Sequence, residues 1–310
     1  MFSQIPKLIP RTDFERIVKE TGAEYRAKGV SSWSQFVTVL FRWFVGLGMD
    51  DAVWDRTAFS INRDRLLGTD VARRFFRRVL HLAAWQGFVS DEHISVDGTM
   101  IEAWASQKSF VPKDDSGPDK PAGRNPEADF KGKARSNATH QSTTDPQARL
   151  YKKGEFTEAK LRHRTHALAG NRSGLVVDVE STQATGRAEW EAASRMIDRS
   201  VRKPDATVGA DKGHDTAEFV AVLERRGIKA HAARKVSGSA VDGRTARGKG
   251  YAVSLRKRKT IEEAFGWIKT VGGLRKTRHK GLEKLSGQAL FAFAAYNLTR
   301  MLSLMRAAAA

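Results

Sequence analysis

The segment KLRHRTHALAGNRSGLVVDVESTQATGRAEWEAASRMIDRSVRKPDATVGAD, residues 160–211, changes its periodicity several times, and its reading decides the fold. Leu161 to Leu168 and Gly174 to Val179 are β-prone runs. Between them Ala169-Gly170-Asn171-Arg172-Ser173 reads as a hairpin loop. Residues 187–201 suit a helix, and residues 206–210 a short strand that ends at Asp211. A hairpin, then a helix, then a strand is a mixed α/β order around one sheet.

Downstream, residues 216–226 place Phe219, Val220 and Leu223 on one helical face, and Ile228 to Ala232 form another short strand. Residues 235–250 are glycine-rich and basic, which predicts a loop. Ile261, Phe265 and Ile268 mark a helix from about Leu255 to Thr270, and a last helix runs from about Leu285 to Met305. Upstream, His93 to Val96 is a short β-prone run, and the Asp97-Gly98 pair after it predicts a turn. Residues 106–157 hold five of the eight prolines and no apolar period, which predicts a flexible insertion. Residues from about 12 to 88 look helical. Phe36, Val37, Leu40, Phe41 and Phe44 recur at helical spacing, and Thr69 is placed to cap a helix carrying Val71, Phe75, Val79 and Leu82 on one face. The chain therefore divides into a helical region, residues 1–90, and a mixed α/β region, residues 91–306, interrupted by the insertion.

Lysine and arginine outnumber aspartate and glutamate by 54 to 35 in a chain of 310 residues, a formal charge of +19. Such an excess attracts polyanions, and nucleic acid is the obvious one. Arg73, Arg74, Arg77 and Arg78 crowd one predicted helix, as either a solvated face or a DNA-backbone contact. The absence of cysteine excludes disulfides and cysteine-bound zinc, and it fits a reducing cytoplasm. The N-terminus MFSQIPKLIPRTDF lacks a signal-peptide core. The apolar stretch from Leu285 to Met305 carries Gln288, Asn297 and Arg300, so it reads as a buried helix and no membrane partner is expected.

Three carboxylates are candidates for chemistry. Asp97 follows the first strand in Ser95-Val96-Asp97-Gly98-Thr99, and Asp211 follows a later one in Gly209-Ala210-Asp211-Lys212-Gly213. Glu262 lies on a helix one turn after Arg258. Taken singly these are an ordinary turn, a helix cap and a surface ion pair. Phosphodiester cleavage needs an activated water, in-line geometry and relief of negative charge, needs that two magnesium ions held by carboxylates meet. Manganese is expected to substitute. His166 and His214, flanking the same strands, are expected to be hydrogen-bonded structural residues, and Trp104 to pack more readily than to stack on a base.

The order of these blocks resembles bacterial insertion-sequence transposases of the DDE type, in the superfamily spanning the insertion-sequence-five and insertion-sequence-four groups. The resemblance covers about Phe41 to Met305. It rests on LFRWFVGLGMDD (40–51), FSINRDRLL (59–67), SVDGT (95–99) followed by Glu102-Ala103-Trp104, GADKG (209–213) and RKTIEEAFGWIK (258–269). It implies an RNase H-like catalytic core in which Asp97, Asp211 and Glu262 hold the metal ions. The family signature of Tyr, two residues, Arg, three residues, Glu, six residues, Lys fits Arg258, Glu262 and Lys269, with Leu255 at the tyrosine position. Arg258 and Lys269 share a helix face with Glu262 and suit the DNA backbone. Lys212, Arg73, Arg77, Arg275 and Lys276 are the further expected DNA contacts. Residues 2–37 look instead like the start of an insertion-sequence-four-type transposase, with the change near Leu40.

The function these residues predict is that of a DNA transposase. It would act as a homo-oligomer on double-stranded DNA, at terminal inverted repeats and at a target, in the cytoplasm with the nucleoid. Two other readings are a non-catalytic DNA-binding remnant, suggested by the mixed N-terminus, and a structure-selective nuclease built on the same core.

Overall fold

The computed structural model describes residues 11–22, 66, 67, 70–113, 135–152 and 157–309. Of the helical region, it contains α1 (Arg11–Glu20) and α2 (Val71–Trp85). The expectations for Phe36 to Phe44, and for Thr69 as a cap, fall outside the described residues.

A single six-stranded sheet organises the rest. Its strands are β1 (His93–Glu102), β4 (Arg149–Tyr151), β5 (Lys160–Gly170), β6 (Val176–Gln183), β7 (Thr207–Ala210) and β8 (Lys229–Ala232). β2 (Phe110–Pro112) and β3 (His140–Ser142) form a separate two-stranded ribbon. β5 pairs antiparallel with β1 on one edge and with β6 and β4 on the other. β1 pairs parallel with β7, and β7 with β8. With β6, β5 and β1 antiparallel in turn, β7 and β8 parallel to β1, and β1, the first described strand, in the centre, the sheet has the RNase H-like order. The hairpin read from residues 160–183, the strands at 207–210 and 229–232 and the helices between them are where their apolar patterns put them.

Helices cover both faces. Ile94, Val96, Leu168, Val208 and Ala210 pack with α3 (Ala188–Ser200) and α4 (Ala217–Glu224). Ile101, Ala167, Ala169, Val176 and Val179 pack with α1, α2, α7 (Thr260–Thr270) and α8 (Leu282–Ala309). Odd and even positions of β1 therefore serve opposite cores, as a strand buried on both faces requires. Asn297 of α8 clamps the start of β6: its Oδ1 accepts from Val176 N at 2.9 Å and its Nδ2 donates to Val176 O at 2.7 Å. No described helix is long and apolar enough to cross a membrane.

Two expectations are corrected. Asp97-Gly98 is no turn, because β1 runs on to Glu102 and pairs with β5 from Ile94↔Gly170 to Glu102↔Arg162. The ladder outweighs a dipeptide turn preference. Gly98 serves close approach instead: a Cβ there would lie 2.9 Å from His166 Nδ1. Residues 235–250 are not all loop. They contain α5 (Gly243–Arg247) and the start of α6 (Lys249–Arg258), and the single helix expected from Leu255 to Thr270 is two helices meeting at Lys259. Glycine hid these helices from the apolar count, and tertiary bonds build the segment. Asp215 accepts from the backbone N–H groups of Lys235, Ala240 and Val241, and the Tyr251 hydroxyl donates to Ala232 O at 2.8 Å.

Within 106–157, the described residues form β2, β3 and β4. Asp145, fully buried, ties this stretch to the sheet through His163 Nε2 at 2.8 Å and to the chain before α8 through Gly281 N at 3.2 Å. His163 burial is equally complete.

Candidate active site

β1 and β7 are neighbours in parallel, with Ser95 opposite Gly209. Asp97 and Asp211 each lie two residues beyond that pair, so the register sets them side by side, Asp97 in the middle of β1 and Asp211 just past the end of β7. Adjacent strands are about 4.8 Å apart. Asp97 Oδ1 accepts from Gly98 N at 2.7 Å. Asp211 Oδ1 accepts from Gly213 N at 2.9 Å and from His214 Nδ1 at 2.7 Å. His214 is thus a hydrogen-bonded residue, as expected, and the partner it orients is one of the two aspartates.

The two carboxylates sit in different electrostatic settings. Burial pushes the Asp97 pKa from its ordinary 3.8 up to about 6, and the Asp211 charge adds to the rise. The Gly98 N–H and the Arg258 guanidinium oppose it. Asp211 is held below the ordinary range, chiefly by the His214 hydrogen bond and with help from Arg258. Burial, followed by the charge of Arg164, drives His166 well down, so its ring is neutral where it meets Thr182 Oγ1 at 2.8 Å.

Arg258 ends α6 between the aspartates and the third expected carboxylate. Its Nη1 is 3.4 Å from Asp97 Oδ2, and its Nη2 is 4.0 Å from Glu262 Oε1. Glu262, at the start of α7, has a side chain 61% exposed. Leu255, at the tyrosine position, packs against the core between the sheet and α3 and α4, where an apolar side chain belongs.

A carboxylate outside the sequence reading joins the aspartates. Ligand atoms of Asp97, Asp211 and Glu189 all lie within 4.8 Å of one another. Glu189 is the second residue of α3, and Arg164 Nη1 donates to its Oε2 at 2.7 Å. In sequence it looks like any acid in a first helical turn, where the helix dipole welcomes one. Only the position of α3 over the end of β1 gives it another meaning. A set of three hard oxygen donors suits magnesium or manganese. Two glycines leave room beside it: a Cβ on Gly98 would come 3.2 Å from Glu189 Oε1, and one on Gly213 3.7 Å from Glu189 Oε2.

The expected DNA contacts are scattered around this centre. Lys212 is exposed and directly follows Asp211. Lys269 is half-buried near the end of α7. Arg275 and Lys276 are exposed and lie against the end of β1, where Lys276 Nζ meets Glu102 Oε1 at 3.0 Å. On α2, Arg77 is exposed and Arg73 half-buried, whereas Arg74 pairs with Glu20 and Asp70, and Arg78 with Asp13. Acids of α1 thus neutralise half of that basic face. A denser cationic surface lies on the α5–α6 pair. Arg244, Arg247, Lys249, Arg256, Lys257 and Lys259 are exposed and make no ion pair among the described residues. Trp104, expected to pack, is 49% exposed just beyond β1.

A family model described as "Transposase DDE domain" matches residues 90–298, which is 209 of the 310 residues. A second model, a domain of unknown function, matches residues 1–46. No curated protein matches the chain. Among solved structures, the chain is similar to the piggyBac transposase synaptic complex with hairpin DNA, at 9% identity and a TM-score of 0.46, covering 95% of this chain and 73% of that one. A pre-cleavage Mos1 transpososome aligns at 10% identity and a TM-score of 0.24, over 94% of this chain and 78% of that one. The strand order described above agrees with the family match to residues 90–298. With two thirds of its length inside that match, the chain belongs to the Transposase DDE domain family, the family of DNA transposases that includes those of bacterial insertion sequences.

Proposed function

We propose that this protein cuts DNA at the ends of an insertion sequence and joins them to a target, using divalent metal ions held at Asp97, Asp211 and Glu262. The observation that carries the reading is the matched register of Asp97 and Asp211, which sets two carboxylates side by side on adjacent parallel strands. Magnesium is the expected ion, two per site, with manganese as its substitute. When bound, such ions lower the pKa of water and neutralise charge on the phosphate under attack.

The chain's own residues prepare that chemistry. Burial raises the pKa of the Asp97 carboxyl to about 6, so without an ion it is largely charged at neutral pH. His214 fixes the orientation of Asp211. Arg258 offsets the charge of Asp97 and reaches towards Glu262. In the first step the oxygen of water attacks phosphorus in line and the bond from phosphorus to the 3′ oxygen breaks. The element end is left with a 3′ hydroxyl and the flank with a 5′ phosphate. In the second step that 3′ oxygen attacks a target phosphodiester, and the target's own 3′ oxygen leaves. Arg258, Lys269, Lys212, Arg275, Lys276, Arg73 and Arg77 hold the duplex backbone, and a homo-oligomer holds paired ends.

The test is a cleavage and strand-transfer assay on DNA carrying the inverted repeats that flank the reading frame. Wild-type protein nicks and joins in magnesium, while Asp97→Asn, Asp211→Asn and Glu262→Gln proteins do neither. Nicking retained by all three variants overturns the assignment.

A further inference from the structure

We propose that Glu189 is a ligand of the same metal site, arriving from the opposite face of the sheet to Glu262. The inference rests on the metal-dependent reading above and adds a residue to it.

The alternation of β1 puts Val96 and Gly98 towards α3, and Asp97 with Ile101 towards the other face. α3 is seated on the sheet by Ala188, Ala192, Ala193, Met196 and Ile197. That seating delivers Glu189, on its first turn, to the place where β1 carries no side chain. There the carboxylate comes within 4.8 Å of both aspartates. A side chain at Gly98 would be forced against Glu189 Oε1 and the His166 ring. Gly98 therefore clears space for the third acid, and Gly213, two residues after Asp211, lies in contact range of its other oxygen.

An ion pair with Arg164 does not explain this arrangement. Arg164 is held in turn by Tyr151, with its guanidinium carbon 5.5 Å from the ring centre and Nη2 3.3 Å from the hydroxyl. It satisfies Glu189 Oε2 alone. A carboxylate needing only that partner has no reason to approach two others, since like charges so close repel. A cation between the three removes the repulsion. Glu262, on α7, lies beyond Arg258 and is more exposed than Glu189, whose side chain is 23% exposed. One acid from each face then leaves the aspartate pair flanked on both sides.

Manganese binding measured by the loss of the free-ion electron paramagnetic resonance signal tests this on full-length protein without DNA. Asp97→Asn is expected to abolish tight binding. Glu189→Gln is expected to weaken it by about tenfold or more, the low end of what removing even an outer-shell partner costs. Glu189→Asp should recover part of the loss, and circular dichroism reports whether each variant is folded. Iron-generated hydroxyl radicals give a second reading on unaltered protein, with backbone scission expected near residues 187–190 as well as near 97 and 211. Wild-type manganese affinity in Glu189→Gln, with binding lost in Asp97→Asn, overturns the role of Glu189 and leaves the site itself standing. Scission near 97 and 211 but not near 189 does the same. Unchanged binding in Asp97→Asn removes the metal site, and Glu189 with it.

Discussion

Replacing Asp97 by asparagine should make the metal-free protein more stable while destroying its site. The folded state holds this carboxyl at a pKa of about 6, against an ordinary 3.8. Folded protein thus binds more protons here than unfolded protein between those values, and stability falls as pH rises through that window. Above pH 6 the charged, buried carboxylate costs up to about 3 kcal/mol, at ~1.4 kcal/mol per pH unit. Asparagine removes the charge and can still accept the Gly98 N–H, but it gives up the attraction of Arg258 at 3.4 Å. The cost of about 3 kcal/mol is already net of that attraction, and the amide's poorer fit in place of the acid leaves a gain of about 1–2 kcal/mol at pH 8. At pH 4 the aspartic acid is already neutral, and the gain disappears. Urea unfolding of both proteins in a chelator, at pH 8 and pH 4, measures it. Adding manganese reverses the ranking, because an ion that binds only the folded wild type stabilises only the wild type. An Asp97→Asn protein less stable than wild type at pH 8, or a difference that does not shrink on acidification, refutes the reasoning.

Gly98→Ala should lower manganese affinity and DNA cleavage together, because the new methyl meets His166 Nδ1 at 2.9 Å and Glu189 Oε1 at 3.2 Å, whereas Gly266→Ala meets nothing within 4 Å and should leave both unchanged. Changing Arg244, Arg247 and Lys257 together to alanine should weaken DNA binding across sequences and flatten its logarithmic salt dependence by about 2–3, at ~0.9 per lost phosphate contact, as read by fluorescence anisotropy. An unchanged slope places the duplex elsewhere. Asn297→Ala should cost about 2–4 kcal/mol, since it strands the buried N–H and C=O of Val176, and a thermal melt within 1–2 °C of wild type contradicts the clamp.

The strand order was legible in residues 160–232 because each element there follows its own apolar period. Asp211 was legible as an acid just past a strand and Asp97 as an acid on an apolar strand, and their pairing follows once β1 and β7 are taken as parallel neighbours. The extent of β1 was not. Asp-Gly is a local turn signal, and only the long ladder with β5 overrules it. The helices at 243–258 were hidden for a related reason: their segment is organised by Asp215 and Tyr251, bonds that no periodicity encodes. Glu189 was invisible as a site residue because its meaning lies in the approach of α3 to a bare glycine, a relation between residues 91 positions apart.

The continuity of β1 gives the two aspartates unequal footing. Asp97 has paired backbone before and after it, from Ile94 to Glu102, so it can shift only if the centre of the sheet shifts. Asp211 stands where β7 has just ended and the chain turns through Lys212–His214, tethered mainly by His214 and the Gly213 N–H. Any change in the spacing of the two carboxylates therefore falls to Asp211, which lacks the paired backbone that holds Asp97 on both sides.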